Sequence, residues 1–229
     1  MQEPPRPEHL RFAVLATDTV LITINNGELL VRLVGVNRPP HFVDAKGLPG
    51  GLLHPHETAE QATVRHLTEK AHVDASKAYI EQLYTFSNVD RDPRGRVVAV
   101  VYLALIPWEK LSAIEKTDTP ESWWAPVTQA KKLAYDHDEI LAVALARLRS
   151  RITYTTLINK LMPREFTLTE LEHAYESILK TDLDKRNFRK KILKLGILAP
   201  LPHKKSGGRF RPAQLYRFAS EKVTEIEVL

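Results

Sequence analysis

Between Gly50 and Val73 the chain reads GGLLHPHETAEQATVRHLTEKAHV, and the residues there that could do chemistry are Arg65, His66, Glu69 and Lys70. On a helix, positions i, i+3 and i+4 share one face, so His66, Glu69 and Lys70 point the same way. Carboxylates at those three positions would converge on a hard divalent cation, which wants several oxygen ligands and can hold a diphosphate. Only Glu69 supplies such oxygens, and the ammonium of Lys70 repels a metal ion. The stretch reads as a phosphate-handling loop at Gly50-Gly51 followed by a helix that lacks the hydrolytic machinery. The plain alternative is an amphipathic helix with Val64, Leu67 and Ala71 packed inward and its charged face in water.

A second constellation is Asp90-Arg91-Asp92-Pro93-Arg94-Gly95-Arg96. Guanidinium forks match phosphate oxygens, so Arg91, Arg94 and Arg96 either grip a ligand's phosphates or form a solvated hairpin tip. With them, Arg38, Gly50, Gly51, Arg65 and Glu69 make up the candidate ligand-binding residues; no catalytic residue and no metal ligand is expected. Trp123 and Trp124 are adjacent on a strand and point to opposite faces, so one could stack on a base while the other packs in the core. His137, at a helix entry, reads as structural or as a catalytic base.

The third constellation is basic. Lys185 to Phe218 holds eleven Lys and Arg and no acidic residue. From residue 151 onward there are sixteen basic against nine acidic residues, whereas residues 1–150 carry seventeen against nineteen. A change of sign between halves points to a module for a polyanion appended to a different kind of domain. Within it, Arg186, Arg189 and Lys190 are expected to face outward together, with Asn187 beside them; Lys185 is a further candidate DNA-binding residue, and Lys204, Lys205, Arg209 and Arg211 lie in a basic loop. Arg and Asn can pair with guanine and adenine edges, while Lys holds phosphates.

The elements that must position these groups follow from pattern. Thr19 to Ile24 and Glu28 to Val34 form a hairpin across Asn25-Asn26-Gly27, since Asn and Gly accept positive φ. A loop runs from Arg38-Pro39-Pro40 to Gly50-Gly51, then a helix from Thr58 to Ala71. Strands are predicted over Gln82 to Phe86, over the apolar run Val97 to Ile106, buried on both faces, and over Trp123 to Val127. Asp136 with Glu139 marks a helix start, and Ile140, Leu141, Ala144, Leu145 and Leu148 give that helix an apolar face. A boundary falls near Arg149 to Tyr154. Beyond it Thr167 and Glu170 form a capping box with Phe166 stapling onto Leu171, and Leu168, Leu171, Tyr175 and Ile178 line one face. Asp184 caps a second helix that stops at Gly196 and turns Phe188, Ile192 and Leu195 inward. With the flanking segments 197–201 and 213–218 this is a winged helix-turn-helix, whose second helix enters the major groove.

The 229 residues allow one large or two small domains, here 1–152 and 153–229, and 43% hydrophobic content permits real cores. There is no cysteine, which excludes disulfides and thiolate metal sites. No apolar run reaches the roughly 18 residues of a membrane span. The opening MQEPPRPEHLR is polar and proline-rich, unlike a secretory signal, and is expected to be an extended lead. A cytoplasmic protein that does not engage membranes is the simplest reading.

Gly51, five residues, Glu57, seven residues, Arg65, then His66, Glu69, Lys70 and His72 resembles a Nudix box, G-x5-E-x7-R-E-U-x-E-E-x-G-U, with Leu48-Pro49-Gly50-Gly51 as its usual lead-in. His66, Lys70 and His72 depart from it, as do Lys46 and Gly47 where a tryptophan is common. LYTF followed by RDPRGR, the Tyr135-Asp136-His137 helix entry, FTLTELE, LDKRNFRKK and RPAQLYRF together resemble the NrtR family of Nudix-related transcriptional regulators, over nearly residues 10 to 218. The resemblance implies an α+β chain: a Nudix-type α/β/α sandwich on a mixed sheet, followed by a winged helix. It further implies a homodimer on a palindromic operator in double-stranded DNA, repression of NAD-metabolism genes, and release by ADP-ribose, with no cofactor required. Related branches sense sugars instead. The competing reading, a Nudix hydrolase of nucleoside diphosphate derivatives, calls for Glu at positions 66 and 70.

Overall fold

The computed structural model describes residues 13–205 and 212–226; the expected extended lead, Arg209 and Arg211 lie outside them. Asn26 and Gly27, with φ of 50° and 79°, form the two-residue turn that joins β1 (Val14–Asn25) to β2 (Glu28–Arg38). Both central residues of a turn that matches strand twist need positive φ, which is why Asn-Gly closes this hairpin. β3 (Phe42–Gly47) returns along β2, and the short β4 (Gly50–Leu52) pairs with β1. The loop predicted between Arg38 and Gly50 is therefore partly strand. Its two outward residues, Val43 and Asp44, gave no alternating pattern to read.

Helix α1 (Ala59–Glu69) follows, capped by Thr58 with Gln61 in a complete capping box. The sheet continues with β5 (Tyr79–Phe86) and β6 (Val97–Leu105), and β6 lies parallel to β1. A short α2 (Ala113–Lys116) precedes β7 (Ser122–Pro126), which pairs with β2. The resulting seven-stranded mixed sheet runs β3-β2-β1-β6-β5, with β4 and β7 attached to β1 and β2.

Strand alternation divides the core between two faces. Val20, Ile22, Leu103 and Leu105 face α3 (His137–Tyr154), which contributes Ile140, Leu141, Ala144 and Leu148. Leu21, Leu30, Ala104 and Ile106 face the other way, with Leu67 and Ala71 of α1 and its trailing turn. This is an α/β/α sandwich. Trp123 and Trp124 do pack on opposite faces, Trp123 against the first cluster and Trp124 within the second. Two local expectations need correction. Val64 is exposed, because the inward stripe of α1 is Ala62, Thr63, His66 and Leu67. Asp136 precedes α3 without a capping hydrogen bond, because its carboxylate is taken by Arg91.

The C-terminal portion begins as α3 ends. β8 (Phe166–Thr167) leads into α4 (Leu168–Leu179), opened by the Thr167–Glu170 capping box. α5 (Lys185–Lys194) is capped by Asp184, and Gly196 turns the chain at φ 66°. β9 (Leu198–Lys205) and β10 (Ala213–Phe218) complete a three-stranded sheet in the order β8-β10-β9. Phe166, Leu171, Tyr175, Ile178, Phe188 and Ile192 form the interior of this winged helix, and they are continuous with the α3 side of the sandwich through Leu148, Ile152, Leu157 and Ile158. Arg149 of α3 donates to the Ile178 carbonyl at 2.9 Å.

Candidate functional site

A cavity of about 510 Å³ is walled by Asp18 of β1, Val34 to Arg38 of β2, Gly50 and Gly51, the end of α1, Arg91, Asp92 and Arg94, and Tyr135 with His137. One wall is built from charges drawn from three distant parts of the chain. Arg91, almost wholly buried, binds both oxygens of Asp136 at 2.8 and 2.7 Å and Asp18 Oδ2 at 3.1 Å. His137 Nδ1 accepts the Leu48 N–H at 2.9 Å, which leaves Nε2 as the protonated nitrogen, 3.5 Å from Asp18 Oδ1. Burial works against ionising Asp18, but His137 and Arg91 outweigh it and hold the carboxyl below its usual range. Gly50 lies so close to β1 that a Cβ there would fall 2.1 Å from Asp18 Oδ1, so glycine is required by contact.

A second wall is the end of α1. His66 is buried, with Nδ1 3.0 Å from Thr17 Oγ1. Burial, reinforced by Lys70 and Arg65, pushes its pKa down to about 4, so the ring is neutral at neutral pH. Lys70 Nζ donates to the Gly50 carbonyl, and a Cβ on Gly51 would lie 2.8 Å from that Nζ and 3.0 Å from His66 Nε2. Both side chains therefore lean over the glycine loop. Glu69 sits at the rim, exposed and 3.5 Å from Arg65. These residues do not fit a hard divalent cation: one rim carboxylate, a neutral imidazole and an ammonium are not an oxygen cage. Among the described residues no group of three acidic or histidine side chains converges to hold a metal ion.

The remaining candidates divide. Arg38 and Arg94 line the cavity; Arg94 is held by Asp92 at 2.9 and 2.7 Å, and its guanidinium lies 5.4 Å from the centre of the Tyr135 ring. Arg96 is not on the wall and instead donates to the carbonyls of Ser87 and Asn88. Arg65 is also off the wall. It grips Glu57 and the Leu52 carbonyl, and its hydrogen bonds hold the Glu57 carboxyl down to about 2. Neither tryptophan reaches the cavity; its aromatic surface is Tyr135, whose ring centre lies 4.3 Å from that of Phe42 with the planes tilted by 53°. Asp18, Asp92 and Tyr135 were missed from sequence. An acidic residue within the apolar run of β1 was the one available signal for Asp18. A larger, open cleft of about 1100 Å³ between the sandwich and the winged helix holds none of the candidate ligand residues.

On the winged helix, Arg186, Asn187 and Lys190 of α5 are exposed, as is Lys204. Arg189 differs from expectation. It turns back to Thr169 Oγ1 at 2.9 Å and to the buried carboxylate of Glu172 at 3.3 Å, where Lys185 also approaches at 3.8 Å. A wholly buried carboxylate needs a cation, and the α5 side chains nearest α4 supply it. Lys205 is likewise drawn to Glu170 at 2.6 Å.

An α/β/α sandwich with a charged cavity beside a glycine loop, followed by a winged helix that displays basic and amide side chains, defines a Nudix domain joined to a DNA-binding domain. Family models agree: the NUDIX domain matches residues 15–144 and the NrtR DNA-binding winged helix domain residues 158–218. The chain is 36% identical over 210 residues to the ADPR responsive transcriptional repressor NtrR of Acinetobacter baylyi, a match covering 90% of this chain and 82% of that protein. It superposes on the crystal structure of Shewanella oneidensis NrtR complexed with a 27mer DNA with a TM-score of 0.77 at 33% identity, over 89% and 93% of the two chains. The NUDIX domain of the same Shewanella protein, complexed with ADP ribose, matches at 34% identity and a TM-score of 0.53, over 63% of this chain and 94% of that one. The chain belongs to the NrtR family of Nudix-related transcriptional regulators, and it is a homologue of the ADPR responsive transcriptional repressor of Acinetobacter baylyi.

Proposed function

We propose that this protein is a DNA-binding repressor controlled by ADP-ribose, which binds in the cavity beside Gly50-Gly51 and is not hydrolysed there. The observation that carries this reading is the pair His66 and Lys70: a neutral imidazole and an ammonium stand where hydrolysis needs carboxylates, in a cavity that keeps Arg38 and Arg94 on its wall. Guanidinium groups suit phosphate oxygens, and Tyr135 offers a ring face for an adenine. Arg91, Arg65 and Arg96 serve as supports of the site, since each is committed to protein acceptors.

Residues 1–152 form the effector domain and residues 153–229 the DNA-binding domain, with α3 shared between them. Arg186 and Asn187 read base edges, and Lys190 and Lys204 hold phosphates. A homodimer would place two such helices on a palindromic operator, about one helical turn apart, at genes of NAD metabolism. Ligand shifts the balance between arrangements that fit the operator and arrangements that do not.

The test is calorimetric titration of the full chain with ADP-ribose, with the mixture assayed for AMP and ribose phosphate, followed by operator-release assays. Binding without turnover and release from DNA are the expected outcomes. Turnover would restore the hydrolase reading, and absence of binding would redirect the search to sugars and other nucleotides.

A further inference from the structure

We propose that Lys70 is the fixed cation of the cavity, holding the ligand's diphosphate in the place where hydrolytic relatives use a divalent metal, so that effector binding is independent of metal. The inference rests on the reading of the cavity as a diphosphate site.

Three placements support it. Lys70 Nζ donates to the Gly50 carbonyl and overhangs Gly51, so the positive charge is seated in the concavity of the glycine loop. The side chain is half-buried and lines the cavity together with Arg38. These two cations face the same space, and the nearby carboxylate of Glu69 is drawn to Arg65 on the outer side of the helix. Nothing bound in the cavity is required to hold Lys70 there.

Two like charges in one confined space repel unless an anion lies between them. Lys70 and Arg38 are such a pair, and burial together with Arg38 makes the protonated lysine less favourable than it is in water, an effect that the carboxylates of Asp18 and Glu69 offset only in part. A diphosphate relieves that repulsion from both sides. A divalent cation adds to it, and the neutral His66 at the same loop offers little counter-charge. An ammonium also makes up to three hydrogen bonds; one is spent on Gly50, leaving donors for phosphate oxygens.

The experiment is calorimetry of ADP-ribose with wild type, Lys70→Met and Lys70→Glu, each in EDTA and in excess Mg²⁺, with circular dichroism melts to establish that the variants are folded. Wild type should bind with the same affinity in both buffers. Lys70→Met should lose about 10- to 100-fold in both, the span of one charge-assisted hydrogen bond. Lys70→Glu should bind worst in EDTA and regain at least about tenfold with Mg²⁺, a recovery that a merely structural role for Lys70 would not produce. Unchanged affinity in Lys70→Met, a wild type that needs Mg²⁺, or a Lys70→Glu protein indifferent to Mg²⁺ would each overturn the assignment and leave the cavity as the ADP-ribose site. A wild type that binds in neither buffer would overturn the functional reading itself.

Discussion

Replacing Arg91 by Met is the sharpest perturbation of the cavity wall. The guanidinium is 3% exposed and serves two carboxylates that are 7% and 12% exposed. Removing one member of a buried ion pair leaves an uncompensated charge, at a cost of about 3–5 kcal/mol. Arg91→Met keeps most of the side-chain volume, so the loss comes from Asp18 and Asp136 facing each other without a cation. For a chain of this size it should lower the melting midpoint by about 6–20 °C. The pH dependence follows from Asp18, whose pKa is depressed in the fold: its stabilisation is present above the unfolded value of roughly 4 and is lost as pH falls through the folded value. The variant keeps the larger share, which comes from His137, and lacks the share due to Arg91 at neutral pH, so the gap to wild type should narrow in part as pH falls below about 4. Urea denaturation at pH 7 and at successively lower pH measures this, and Arg91→Met with Asp136→Asn should be less destabilised than the single variant. A gap under about 1 kcal/mol at pH 7, the range of an exposed pair, or a gap that does not change with pH, would refute the account of the wall.

Other residues make further predictions. His66 has a folded pKa near 4, below its unfolded value, so wild-type stability should fall as pH drops from about 6.5 towards 4, by up to about 3 kcal/mol; His66→Gln should flatten that slope in denaturation curves. His72 holds φ of 54° after α1, a conformation costing a non-glycine residue about 1–2 kcal/mol, so His72→Gly should raise the melting temperature by a few degrees. On the winged helix, Lys190→Ala should reduce the slope of log affinity against log salt by about 0.9. Arg186→Ala should erode discrimination between operator and mismatched DNA by about 1–3 kcal/mol, with ADP-ribose affinity unchanged; equal loss of both activities would refute the separation of the two sites.

Much of the frame was legible because its signals are local. Asn26-Gly27, the Thr167–Glu170 box and the Phe188–Ile192 face each lie within a few residues, and each specifies its own turn or helix. The cavity wall was not legible in the same way. Asp18 and Arg91 lie 73 positions apart and meet only because β1 and β6 run parallel, a pairing that neither strand's pattern announces. RDPRGR suggested three equivalent arginines; burial makes one a buried support, turns one towards the cavity and commits one to backbone carbonyls. Arg189 misled for a similar reason. Its helical phase fits an outward face, but the buried charge of Glu172 on the neighbouring helix draws it back.

The continuity of α3 has a mechanical consequence. Its first residue, His137, is on the cavity wall, and its last turns lie against the interior of the winged helix. Eighteen residues of helix make a strut about 27 Å long. A hinged linker would dissipate a displacement at one end, whereas a strut clamped in close-packed surroundings passes it on as tilt. Five degrees of tilt over that length moves the far end by about 2 Å, enough to make or break a hydrogen bond. A small occupant beside His137 thus has leverage on the placement of the winged helix well beyond its own size.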